Sequence, residues 1–225
     1  MPSRASAIRG RAWAPFASAG IWARGGIIAL LRSISMDDIA ADLGMSKKTI
    51  YQYYADKDAL VDEVVGAIIQ LNQACCEADM IKADNAIHEI FLAIDFMMEV
   101  FRSMNSSFIF DLQKYHPIAF ARFSKHKNDY LFNVIKENLE RGINEELYRD
   151  DLKIDILSRF RVESVIIPFN PDFHGKLKAS LADIEEEILM NFLFGVVSLK
   201  GYKMVIKYQQ ARNKTTNSNE KKMVK

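Results

Sequence analysis

A chain of 225 residues, 49% hydrophobic with ten glycines and five prolines, can bury a substantial core and is too apolar to be intrinsically disordered as a whole. Its formal net charge of +1 provides no global attraction for nucleic acid, so any such attraction must come from local clustering, as at Lys47, Lys48 and Lys57. The two cysteines, Cys75 and Cys76, are adjacent and cannot staple distant segments, and no run approaches the ~18 apolar residues of a membrane span; both point to a reduced, cytoplasmic setting without a membrane partner.

Residues 1–31 differ in composition from everything after them, with eight alanines, four arginines and both tryptophans but no lysine, aspartate or glutamate. Arg24 interrupts the apolar part, and Ile27 to Leu31 falls short of the ~7–15 residues of a signal-peptide core, which argues against export. Ser35 then stands where it can cap a helix, with Asp38 three residues later in a capping-box arrangement. Ile39, Ala40 and Leu43 share one helical face, Gly44 supplies a left-handed stop, and Met45 can turn inward. Ser46 caps a second helix that carries Lys47, Lys48 and Thr49 on its exposed start, Ile50 toward the core, and Tyr51, Gln52, Tyr53 and Tyr54 in the turns that follow. Asp56 can cap a third helix from Lys57. This is the layout of a helix-turn-helix, whose second helix enters the DNA major groove.

The order of residues from Ile39 to Leu60, IA-x-x-L-G-M-S-K-K-T-I-Y-x-Y-Y-x-D-K-D-x-L, resembles the DNA-binding signature of the TetR family of bacterial regulators. The resemblance implies phosphate contacts from Tyr51, Lys57 and, at the start of the preceding helix, Ser35. Tyr54 occupies the family's core aromatic position. The family places a first helix ahead of this motif as A-x-x-L-F-x-x-x-G. Ala12 to Gly20 echoes it, but Pro15 stands in place of the leucine and Gly20 lies nineteen residues before Ile39. Residues 1–31 are therefore read either as partly non-native coding sequence or as an unusual genuine arm.

The remainder reads as helices throughout. They are expected from Lys57 to about Met80, from Ile87 to Met104, from Phe108 to Tyr115, from Pro117 through to Gly142, from Asp150 or Asp151 to near Pro168, and from Leu181 to Leu199, with 172–180 a connector. Gly201 is expected to break or bend the chain before a last short helix, and 213–225 to be a disordered tail. The fold class is thus all-α. A three-helix DNA-binding domain occupies 32–64, and a larger ligand-binding and dimerisation domain occupies 65–212.

Lys47 and Lys48 can reach phosphate, while Thr49, Gln52 and Tyr53 point toward base edges or the groove wall. Phe91, Met98, Phe101, Phe108, Phe120 and Phe123, with Gln113, Tyr115 and His116 among them, form either ordinary core or a cavity for a small apolar or amphipathic inducer. The apolar stripe containing Ile188, Phe192, Val196 and Leu199 is wider than one core contact requires. Since the family dimerises through a helix pair of this kind, the stripe is read as a homodimer interface. The four histidines lack metal-ligand spacing, so neither metal nor cofactor is expected. Cys75 and Cys76 are read as one buried and one partly exposed thiol, with redox sensing as the alternative. Glu185, Glu186 and Glu187 wind around a helix and look like a solvated face rather than a catalytic group, so no enzyme is expected. The resulting expectation is a ligand-released dimeric repressor on a palindromic double-stranded operator. Its rival is a dimeric helical ligand-binding protein whose N-terminus impairs DNA binding.

Overall fold

The computed structural model describes residues 35–42 and 44–223; the expectations for residues 1–31 lie outside them. The described secondary structure is helical apart from one isolated antiparallel bridge between Tyr148 and Val197. Helices α1 (Met36–Asp42), α2 (Lys47–Tyr51) and α3 (Lys57–Lys82) are followed by α4 (Ala86–Ser103), α5 (Phe108–Tyr115) and α6 (Pro117–Lys125). A π-helical segment, His126–Leu131, leads into α7 (Phe132–Asn144), then α8 (Ile154–Ser164), a short 3-10 turn (Ile167–Phe169), α9 (Pro171–His174), α10 (Leu181–Val196) and α11 (Leu199–Met223).

The punctuation expected from sequence holds at Gly44, Ser46, Asp56 and Pro117, while Leu43 lies outside the described residues. Gly44 adopts φ 62°, the left-handed conformation that closes α1, while Met45 N–H returns to Ala40 O at 2.9 Å. Ser46 Oγ accepts the Thr49 N–H at 3.0 Å, and Asp56 Oδ1 accepts the Ala59 N–H at 2.8 Å. Pro117 opens α6 immediately after His116, whose extended φ of −131° suits a residue before proline.

Later in the chain several boundaries move. The helix expected to run unbroken from Pro117 to Gly142 contains the π-helical turn, which inserts an extra residue into the hydrogen-bond ladder. α8 begins at Ile154 behind Lys153, which makes no side-chain cap, so neither Asp150 nor Asp151 starts it. The connector after Phe169 contains α9, capped by Asn170 Oδ1 accepting the Asp172 N–H at 2.9 Å. The break before the last helix lies at Val197 and Ser198, ahead of Gly201, and α11 continues to Met223 through the stretch read as a disordered tail.

The chain groups into two compact units that cut across the boundary expected at residue 64. One takes the residues up to Leu71 together with Val100–His126 and Pro168–Leu181. Its buried side chains include Ile39, Ile50, Leu60, Val61 and Val65, and the Phe101 and Phe108 rings tilt onto Phe169 at centroid distances of 5.3 and 6.2 Å. The other takes Asn72–Glu99, Lys127–Ile167 and the chain from Ala182 onward, around Ile87, Ile94, Met98, Leu139, Val162, Leu193 and Val205.

The second unit also buries polar groups, most of them paired, while Ser158 Oγ and Glu185 Oε2 have no hydrogen-bond partner among the described residues. Tyr148 donates its hydroxyl to Asn138 Oδ1 at 3.0 Å, and Asn138 Nδ2 donates to Ala86 O at 3.0 Å. The orphan N–H of Ala86 at the start of α4 donates to Glu145 Oε2 at 2.8 Å, a cap supplied from the far end of α7. The glutamate triplet is not a solvated face: Glu185 is fully buried and accepts from Arg161 Nη2 at 2.6 Å, Glu186 accepts from Arg212, and only Glu187 is exposed. The sequence reading failed there because Arg161 sits on another helix, where no local pattern announces it.

Candidate nucleic-acid interface

Helix α2 has only five residues, far below the ~12–15 at which an isolated helix becomes marginal, so tertiary contacts must hold it. Ile50 supplies the anchor. Its side chain has no solvent exposure, and full burial of such a residue contributes about 1.5–3 kcal/mol. The cap at Ser46 fixes the entry, where Ser46 Oγ also lies 2.7 Å from Thr49 Oγ1. At the exit, the Tyr53 and Tyr54 N–H groups both return to Ile50 O, tightening the last turn.

With Ile50 turned inward, the other face of α2 is forced outward. Lys48 and Gln52, four residues apart, share that face and are exposed, as are Lys47, Tyr51 and Tyr53; Thr49 is half-buried. The two tyrosines are 45% and 50% exposed, high for aromatic side chains. Tyr54 is half-buried, and desolvation, with Glu63 nearby, raises its phenol pKa, in keeping with a core position. Lys57 is partly buried at the start of α3, where desolvation lowers its pKa against the opposing pull of Asp58 and Asp111. Ser35 is exposed at the start of α1. All eight sequence-expected contact residues therefore lie on α2, at its exit or at the adjoining helix starts.

Lys47 is not a simple free cation. Its Nζ donates to Asp37 Oδ2 at 2.8 Å, joining the first turns of α1 and α2, and this hydrogen bond raises the lysine pKa. Among the described residues no ion pair involves Lys48.

Within the same unit the root of α3 is tied to α5 and α6. Buried His116 donates from Nδ1 to Asp58 Oδ1 at 2.6 Å. Arg122 Nη1 donates to Asp62 O at 3.1 Å and to Asp62 Oδ2 at 3.2 Å. Gly66 makes room for it, since a Cβ there would lie 2.4 Å from Arg122 Nη1. Sequence reading placed His116 in a ligand pocket and did not single out Arg122, because neither tie leaves a local signature. α3 is long and apolar enough, by length and composition alone, to cross a membrane. Its first turns, however, carry these two engaged aspartates.

The expected pocket residues separate. Phe101, Phe108, Gln113, Tyr115, His116, Phe120 and Phe123 belong to the first unit, whereas Phe91 and Met98 belong to the second, with Phe91 stacked on Tyr208 at 5.4 Å. Gln113 is exposed, while Tyr115, Phe120 and Phe123 are half-buried. Of the expected interface residues, Phe192 and Val196 are buried within their own unit, Ile188 is half-buried and Leu199 is 87% exposed. Further exposed apolar side chains in the second unit include Ile156, Phe160 and Tyr202; Phe160 stacks on Phe192 at 6.4 Å and Tyr202 packs on Phe194 at 5.5 Å.

Among the described residues no group of three or more histidine, cysteine, aspartate or glutamate side chains is assembled that could hold a metal ion. Cys75 and Cys76 are both partly buried. Burial raises both thiols, Cys76 to about 11. A thiol at that value is almost wholly protonated at neutral pH, which opposes redox sensing. Ellman's reagent at pH 7.5 is therefore expected to label Cys76 on the order of a hundredfold more slowly than an ordinary thiol; rapid labelling that Cys76→Ser abolishes would contradict this.

Residues 31–64 match the family model described as bacterial regulatory proteins, tetR family. The chain is 33% identical over 177 residues, covering 74% of itself and 87% of the relative, to the uncharacterized HTH-type transcriptional regulator YvaF of Bacillus subtilis. Its fold is similar to that of a transcriptional regulator from Cytophaga hutchinsonii, at a TM-score of 0.60 and 16% identity over 84% of this chain and 100% of that one. The ketosteroid transcriptional regulator KstR2 of Mycobacterium tuberculosis aligns at a TM-score of 0.52 and 19% identity over 81% of this chain and 91% of its own.

Proposed function

We propose, because this chain belongs to the TetR family of bacterial regulatory proteins and is a DNA-binding transcriptional regulator, that it acts as a dimeric repressor released from a palindromic operator by a small apolar or amphipathic ligand. The observation that carries this reading is the face of α2. Lys48 is exposed on a capped helix whose opposite side is pinned by fully buried Ile50, and Gln52 and Tyr53 are exposed at the exit of that helix. Lys48 serves the phosphate backbone. Gln52 serves base edges, where its amide can pair with adenine. Dimerisation through the region of α10 and α11 is supported by exposed Leu199 and Tyr202, and Ile156 and Phe160 of α8 are exposed in the same unit. Two half-sites about one helical turn apart require a two-fold partner.

Release follows from a shift in population: a ligand favoured by one arrangement of the helices changes how often the reading heads match the half-site spacing. A cavity among Phe101, Phe108, Phe120 and Phe123 would lie in the unit that contains the His116–Asp58 and Arg122–Asp62 ties to α3. Nothing in this reading assigns a catalytic role to any residue. The reading favours an intracellular site of action, where chromosomal DNA is accessible.

Fluorescence anisotropy against the DNA upstream of the protein's own gene, taken across a salt series, tests this. Lys48→Ala is expected to weaken binding to every sequence and to flatten the salt slope by about one unit. Gln52→Ala is expected instead to change the preferred sequence, with a discrimination loss of about 1–3 kcal/mol at one position of each half-site. Equal losses on all sequences for Gln52→Ala would sink its assignment. Failure of the unmodified protein to prefer this DNA over random DNA would favour a ligand-binding protein with impaired DNA binding.

A further inference from the structure

Lys47 and Asp37 occupy the first turns of the two helices of the helix-turn-helix, and their side chains meet at 2.8 Å. We propose that Asp37 is a resident counter-ion that occupies Lys47 and lowers the sequence-independent attraction of this domain for DNA, so that discrimination falls to the Lys48–Gln52 face. The inference rests on α2 being the DNA-facing helix.

The pair does little for the fold. Both side chains are largely exposed, at 44% and 68%, and exposed ion pairs add little stability once solvent screening and side-chain ordering are counted. Its position gives it another consequence. With α2 as the DNA-facing helix, the side chains of its first turn lie within reach of the phosphate backbone. A lysine at that point would ordinarily displace a condensed counter-ion and so contribute to non-specific affinity. Lys47 already holds a carboxylate. To reach a phosphate it must either abandon Asp37, leaving that carboxylate facing the backbone, or bring Asp37 along. In both cases the pair adds almost no net positive charge at the groove.

Asp37 is also well placed for the fold itself. A carboxylate in the first turn of α1 is favoured by the dipole of that helix, so the masking charge does not strain the element that carries it. With a net charge of only +1 for the whole chain, each local cation carries weight, and neutralising one of two adjacent lysines at the start of α2 halves the charge presented there. Lys48, which lies around the helix on the Gln52 face, stays available.

A double-mutant cycle on the full chain tests this, with a mixed-sequence DNA duplex as the probe between about 50 and 200 mM salt. Asp37→Asn is expected to steepen the salt slope by about one unit and to tighten binding to random DNA several-fold at the lower salt. Lys47→Ala should leave the slope of the unmodified protein nearly unchanged but remove about one unit in the Asp37→Asn background. Equal loss of slope on Lys47→Ala in both backgrounds overturns the masking. So does an Asp37→Asn slope identical to that of the unmodified chain. Thermal melts of the four proteins, with Asp37→Ser as a second replacement, separate a charge effect from a folding defect. Absence of salt-dependent binding in all four overturns the assignment of α2 as well, whereas salt-dependent but additive behaviour overturns the masking alone.

Discussion

Glu185→Ala is expected to destabilise the protein by about 3–5 kcal/mol, which for a chain of this size lowers Tm by roughly 10 °C or more. Glu185 is fully buried on α10, and its Oε1 accepts from Arg161 Nη2 at 2.6 Å, while Arg161 Nη1 donates to Ser164 Oγ at 2.8 Å. Truncating the glutamate leaves the Arg161 guanidinium, itself only 6% exposed, without its counter-charge. The pair is nevertheless a weak source of net stability. Desolvation raises the Glu185 pKa despite the opposing attraction of Arg161, so burial outweighs the pairing. Glu185 Oε2 also has no hydrogen-bond partner in the structure. Replacing both residues together, as Arg161→Met with Glu185→Leu, is therefore expected to restore most of the loss seen with Glu185→Ala alone. A double variant as unstable as the single one, by chemical denaturation, would contradict this.

The same group has a pH signature. A carboxyl whose pKa is higher in the folded than in the unfolded chain keeps its proton longer when folded. The folded state then binds more protons between the two values, and stability falls as pH rises from the unfolded value near 4.5 through the raised folded one. Glu89 acts in the same direction, since desolvation raises it above the pull of Asn138 and Arg141. Glu185→Gln, which cannot titrate, should flatten that decline, so that the stability advantage of the native chain over the variant is greatest in acid. A constant difference across pH would show that Glu185 titrates alike in the folded and unfolded chain, against the raised folded value.

What could be read in advance divides along sequence distance. Gly44, Ser46, Asp56 and Pro117 act on backbone groups within four residues of themselves, and each does in the structure what its local chemistry dictates. Ile50 was legible for the same reason: the residues around it fix which face of a short helix turns inward. The ties that hold one helix to another were not legible. Arg122 reaches Asp62 sixty residues away, Arg161 reaches Glu185 across twenty-four, and the Lys47–Asp37 pair spans a turn whose geometry decides whether the two meet. Charged side chains carry no periodic signal for such pairing, so a buried glutamate looked like one of three on a wet face. The π-helical segment escaped for a related reason, because an added residue in a helix leaves composition and approximate spacing unchanged.

Gly201 was expected to bend a helix, but its surroundings assign it a different and costlier task. It sits in the first turn of α11, where a Cβ would fall 2.0 Å from Leu147 O and 3.2 Å from Val197 Cβ. Leu147 O is already engaged, accepting the Ser198 N–H at 2.9 Å, while Arg149 N–H donates to Val196 O at 2.9 Å and the Gly201 N–H donates to Ser198 Oγ at 3.1 Å. Backbone thus meets backbone with no side chain free to yield. Gly201→Ala must push the 147–149 segment away, combining an overpacking cost of about 1–3 kcal/mol with weakened hydrogen bonds of about 1 kcal/mol each, against a helix-propensity gain near 1 kcal/mol. The expected net loss is about 3 kcal/mol, read as a fall in Tm of several degrees. Gly195 on α10 is the counter-test: it is exposed, and a Cβ there meets nothing within 4 Å. Gly195→Ala should leave the folded chain as stable or raise its stability by up to ~1 kcal/mol. If α10 lines the seam between two copies, the same methyl group would hold the partner helix off and raise the dimer dissociation constant seen by sedimentation. A Gly195→Ala variant as unstable as Gly201→Ala would contradict the close-approach account of both glycines.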